Sequence, residues 1–82
     1  MTAPASAPEP FAMWTIYDHP NDIPDSFVAR KWIIVKGGGS YPTDDVIVTE
    51  SLIVLREIMI NRGLARIDRH PDDDAKIVET WI

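Results

Sequence analysis

The chain contains no cysteine. That excludes disulfide staples and thiolate metal sites, and it fits a reducing compartment. Basic residues are scarce, with 8 Lys and Arg against 13 Asp and Glu, for a formal net charge of -5. Nonspecific nucleic-acid binding depends on lysine and arginine neutralising phosphates, so this balance argues against direct binding of DNA or RNA. It favours basic partners instead, through electrostatic steering. No apolar run approaches the roughly 20 residues a helix needs to cross a bilayer. The N-terminus also lacks the basic stretch and apolar segment of a secretory signal. The expectation is a soluble, cytoplasmic protein. Its 82 residues suffice for one domain, whose core is marginal because small domains bury a smaller share of their surface.

What is present is mostly β-type patterning. Residues 1–12 are rich in alanine and proline without periodicity and read as a flexible leader. Residues 13–82 are expected to form a single α+β domain. The runs Met13–Asp18 and Phe27–Val35 are rich in β-branched and aromatic residues and predict two strands. Gly37–Gly39 with Ser40 reads as a hairpin or crossover connection, and Asp45–Val48 as a brief strand. Ser51 to Arg62 predicts a helix, with Thr49 or Ser51 as N-cap, Glu50 favouring the dipole and Gly63 at C′. Leu64–Arg69 and Lys76–Ile82 complete the order β-hairpin, short strand, helix, β-hairpin. The expected fold is a small antiparallel sheet of four or five strands with one helix packed on one face.

The signal His-Pro-x-Asp occurs twice, at His19–Asp22 and His70–Asp73, each time between two predicted strands. Turn chemistry alone explains it. Proline presets the second position of a turn, aspartate or asparagine bonds to local amides, and a residue before proline is driven towards an extended conformation. Each copy also concentrates acid: Asp18, Asp22 and Asp25 at the first, Asp72, Asp73 and Asp74 at the second. His19 and His70 with these aspartates supply the donor types zinc or manganese accepts, so a small metal-dependent enzyme is one reading. The spacing matches no known metal motif, however, and no metal or cofactor is implied by it. Ser26, Ser40 and Ser51 lack a nucleophile elbow, and the glycine triplet lacks the Gly-Lys-Ser/Thr ending of a phosphate loop. No catalytic residue is assigned.

Binding surfaces have more support. At about 100° per residue, Leu52, Val54, Leu55, Ile58 and Met59 share one broad helix face, the core stripe. Ile53 and Ile60 fall on nearly the opposite side, and one helix layer does not bury both faces. Either the Tyr41 loop or the leader covers them, or they form a self-association surface, as in a homodimer. Trp14, Trp32 and Trp81 lie on three predicted strands. Period-two counting places Arg30 on the face of Trp32 and Glu79 on the face of Trp81, so adjoining strands would carry aromatics and an opposed charge pair on one face. That face is either ordinary core or an aromatic-plus-arginine contact patch.

At Trp14-Thr-Ile-Tyr-Asp-His-Pro20, Phe27-Val-Ala-Arg30, Arg69-His-Pro-Asp-Asp-Asp74 and Ile77-Val-Glu-Thr-Trp81, the chain resembles small bacterial and prophage-associated proteins without assigned enzymatic activity. These typically start at the methionine equivalent to Met13, so residues 1–12 depart from the pattern. In size, charge and lack of cysteine it is also similar to the anti-CRISPR inhibitors of phages and mobile elements. That resemblance implies a non-enzymatic inhibitor occupying the basic, DNA-binding groove of a CRISPR surveillance complex, with Asp18, Asp22, Asp25, Asp72, Asp73 and Asp74 standing in for phosphates. A protein-interaction module or accessory subunit with an unrelated partner is the alternative. The acidic reading requires both hairpin ends to face the same way.

Overall fold

Two runs dense in β-branched and aromatic side chains, Phe11–Asp18 (β1) and Phe27–Ile34 (β2), pair antiparallel along their full length in the computed structural model, which describes residues 11–82. Their period-two alternation sets two faces. One carries Trp14 and Ile16, with Ala29 and Phe27 on the neighbouring strand; the other carries Met13, Thr15 and Tyr17 with Trp32, Arg30 and Val28. Strand β3 (Ser40–Thr49) adds outside β2, the helix α1 spans Leu52–Asn61, and β4 (Arg66–Asp68) and β5 (Ile77–Trp81) form the C-terminal hairpin. Strand β5 docks beside β1, giving one antiparallel sheet in the order β3-β2-β1-β5-β4. The expected α+β class, with a small antiparallel sheet and one helix, is what the described residues form.

The helix ends follow local chemistry. Ser51, in an extended conformation, accepts a hydrogen bond from the Val54 amide at 3.4 Å, while Thr49 Oγ1 accepts one from the Ser51 amide at 3.2 Å. The helix stops at Arg62 as C-cap, and Gly63 follows at φ +78°, a conformation glycine adopts without penalty. Leu55 and Met59 are buried on Trp14, Ile16, Ala29 and Trp81, with Phe27, Ile47, Leu52, Ile58, Leu64 and Val78 around them. Arg62 lies over the Trp14 ring at 5.0 Å, adding a cation–π contact at the helix end.

Three expectations need correction. Phe11 and Ala12, assigned to the leader, belong to β1, where they pair with Ile34 and Ile33; residues 1–10, the rest of that leader, lie outside the described residues. The brief third strand is ten residues long. Pro42, Asp44 and Asp45 disfavour a strand by propensity, but β3 is an edge strand, where a proline without an amide proton is tolerated. A bulge opposite Lys31 absorbs Thr43, Asp44 and Asp45, held by Thr43 Oγ1, which donates to the Lys31 carbonyl at 2.9 Å and accepts from the Asp45 amide at 3.1 Å. The three tryptophans do not share a face. Trp14 and Trp81 lie under the helix, whereas Trp32 and Arg30 lie on the opposite side of the sheet.

That separation dissolves the expected Arg30–Glu79 pair. Glu79 is 2% exposed on the helix side. Its carboxylate accepts two hydrogen bonds from Arg56, from Nε at 3.0 Å and Nη2 at 2.8 Å, and a third from Trp81 Nε1 at 2.8 Å. Arg30 instead reaches Asp22 at 3.3 Å.

Candidate functional site

Both acidic turns sit at one end of the sheet, which is the condition the acidic reading requires. The β1–β2 turn leaves β1 at Asp18, and β5, antiparallel to β1, begins beside it. The Asp18 amide donates to the Lys76 carbonyl at 2.7 Å, and Lys76 Nζ donates to the His19 carbonyl at 2.9 Å. The two loops are thus stitched together by residues 57 positions apart. Within residues 18–26 and 69–76, six carboxylates face only Arg69 and Lys76, so four of the chain's five excess negative charges lie at this end. Arg30 rises from β2 to offset one more, through Asp22.

The six aspartates are not equivalent. Asp18 pairs with the ring of its neighbour His19, which stacks edge-on to Phe27. Asp73 accepts from the His70 amide at 2.9 Å, and Asp74 from the Lys76 amide at 2.9 Å, so both hold the second turn in shape. Asp25 and Asp72 make no carboxylate hydrogen bond among the described residues; Asp72, 92% exposed, comes no nearer than 3.7 Å to the His70 ring. Those two are free to meet a partner.

The repeated signal is not a repeated structure. In the second copy the Asp73 amide closes a turn on the His70 carbonyl at 2.9 Å, with Pro71 in the expected second position. In the first the Ile23 amide bonds to the Pro20 carbonyl at 3.0 Å, so proline opens the turn instead. His19, expected to be extended before Pro20, takes φ +50° while its amide bonds to the Ser26 carbonyl at 3.0 Å. The two connections are equally long, residues 19–26 and 69–76, and differ in that the first is also tied across its entry by the His19–Ser26 backbone bond. Neither histidine contributes to a metal cage: among the described residues no three histidine, aspartate or glutamate side chains converge to hold an ion. His70 Nδ1 accepts from the Asp72 amide at 3.1 Å, which leaves a neutral ring's proton on Nε2.

Beneath the turns, the sheet face opposite the helix carries two shallow depressions separated by Tyr17. One, of about 210 Å³, is lined by Met13, Thr15, Trp32, Ile77 and Thr80 with Asp73 at its rim; the other, of about 200 Å³, by Pro20, Asp22, Val28 and Arg30. Burial pushes the Tyr17 phenol above its ordinary pKa; the Trp32 indole and Arg30 pull it partly back, and Asp74 and Asp22 push it up again. Trp32 Nε1 is buried without a well-formed hydrogen bond among the described residues, and the Tyr17 phenol is the group its N–H acts on. An aromatic wall with a carboxylate at its rim suits a lysine or arginine side chain.

Lys76, Tyr17 and Asp73's rim position are absent from any local sequence pattern, because all three follow from the pairing of β5 with β1. Ile53 and Ile60 are 66% and 59% exposed, and Tyr41, inside β3, does not cover them. No helix among the described residues is long and apolar enough to cross a membrane. Comparison with protein-family models, curated proteins and solved structures finds no match.

Proposed function

We propose that this protein is a non-enzymatic binding protein whose acidic turn edge docks on a basic, phosphate-binding surface of a host nucleoprotein complex. The observation that carries the reading is the stitching of the two turns, which gathers Asp18, Asp22, Asp25, Asp72, Asp73 and Asp74 at one end of the sheet. Separately placed turns would each offer a scattered charge; together they concentrate six carboxylates at one end of the sheet, with Asp73 and Asp74 fixed by backbone hydrogen bonds. The aromatic depression rimmed by Asp73 adds a slot for a basic side chain beside them. In its concrete form the reading is an inhibitor of the anti-CRISPR kind, which excludes target DNA by occupying the groove that binds it.

Displacement of labelled target DNA from an RNA-guided surveillance complex tests this form. The wild-type chain is expected to compete, and Asp25→Lys/Asp72→Lys to lose at least about tenfold in competing power, because four units of charge change while no turn hydrogen bond is lost. DNA binding that is indifferent to excess protein removes the inhibitor form. Equal competition by wild type and double variant removes the acidic edge as the docking surface.

A further inference from the structure

Ile53, Arg56, Glu57 and Ile60 stand at i, i+3, i+4 and i+7, so they form one continuous stripe along α1. The stripe is open: its two isoleucines are among the most exposed large apolar side chains of the chain. Its centre is charged in a particular way. Arg56 spends Nε and Nη2 on Glu79 and keeps 36% of its side chain exposed, leaving Nη1 for another acceptor. Glu57 is exposed and has no ion-pair partner among the described residues.

Read in reverse, this stripe becomes its own complement. Isoleucine exchanges with isoleucine, and arginine with glutamate, about a point between residues 56 and 57. We propose that a second copy of this chain docks here, with the two α1 helices antiparallel about a twofold axis. Ile53 then meets Ile60 of the second copy, Ile60 meets its Ile53, and Arg56 Nη1 meets its Glu57, twice over by symmetry. An isologous contact of this kind requires a self-complementary patch. A parallel arrangement would set Arg56 against Arg56 and Glu57 against Glu57. An unrelated partner would make no use of the reversal symmetry. The patch is smaller than the roughly 800 Å² per partner of a standard interface, and each copy carries a net charge of -5, so the dimer forms in the micromolar range or more weakly.

The absence of native cysteine makes engineered thiols unambiguous reporters. Ile53→Cys and Ile60→Cys are prepared separately, oxidised alone and as an equimolar mixture, and accompanied by sedimentation equilibrium of the wild type over a wide concentration range. The mass should rise towards a dimer with concentration. The mixture should form a disulfide-linked dimer several-fold faster than either variant alone, since two copies of position 53 lie seven residues, about 10 Å, apart along antiparallel helices. A mass that stays monomeric at every concentration overturns the proposal. So does linkage of Ile53→Cys alone as fast as that of the mixture.

Discussion

Glu79→Ala should lower the free energy of unfolding by about 3 kcal/mol in urea titration at pH 7. Removing one member of a buried pair leaves the other charge uncompensated, which costs about 3–5 kcal/mol. The lower end applies because Arg56 keeps a third of its side chain in water and can turn outward. Trp81 Nε1 would lose its acceptor as well. By contrast, Arg56→Leu/Glu79→Leu should recover most of the loss, because neither charge then remains to be solvated. The pair also leaves a signature in acid. Burial alone would raise the Glu79 pKa, but the hydrogen bonds from Arg56 and Trp81 and the nearby Arg56 charge outweigh it and hold the carboxyl below its ordinary value. A depressed folded pKa means the stabilisation is complete above the unfolded value of about 4.3 and is lost as pH falls through the folded one. The difference in melting temperature between wild type and Glu79→Gln should therefore be constant near neutrality and shrink below about pH 4. A difference that persists unchanged to pH 3 would contradict this assignment.

Leu55→Ala should cost a similar amount, about 3 kcal/mol within the usual 2–5 for a buried leucine. Leu55 is fully buried in the core shared by helix and sheet, in one cluster with Met59, Trp14, Ile16, Ala29 and Trp81. In a domain of this size that is a drop in melting temperature of roughly 12–24 °C. Ile53→Ala, two positions away on the exposed stripe, should change stability by less than about 0.5 kcal/mol. Comparable losses from both variants would mean that α1 is oriented differently on the sheet.

Local chemistry made much of this architecture legible. Ser51 caps and Gly63 terminates the helix because a hydroxyl and a missing Cβ act within a few residues, and the same holds for the glycine hairpin, which closes through the Val35 and Gly39 backbones at 3.2 Å. The apolar period of α1 separated Leu55 and Met59 from Ile53 and Ile60, but it also put Val54 on the core stripe, where the structure leaves it 44% exposed. What was illegible depended on strand order. Period-two counting fixed the relation of Arg30 to Trp32 and of Glu79 to Trp81, but which sheet face each pair joined depended on the β1–β2 and β1–β5 registers. Arg56, on the helix, was the true partner of Glu79, and the link is invisible without knowing that α1 lies across that face. The first His-Pro turn misled for a related reason: the bond from His19 to Ser26 and the tie to Lys76 constrain it from outside its own four residues.

The candidate site shows the same division. The acidic residues are plain in the sequence, yet their division into turn-holding Asp73 and Asp74 and unengaged Asp25 and Asp72 required the hydrogen bonds. That division selects the most direct measurement of whether the two turns act as one docking surface. Asp25→Lys in the first turn and Asp72→Lys in the second, each alone, should weaken binding to the same basic partner by several-fold, with unchanged melting temperature and a shallower salt dependence. Full affinity in either single variant, with the loss confined to the other, would show that only one turn meets the partner and would contradict the joint acidic edge.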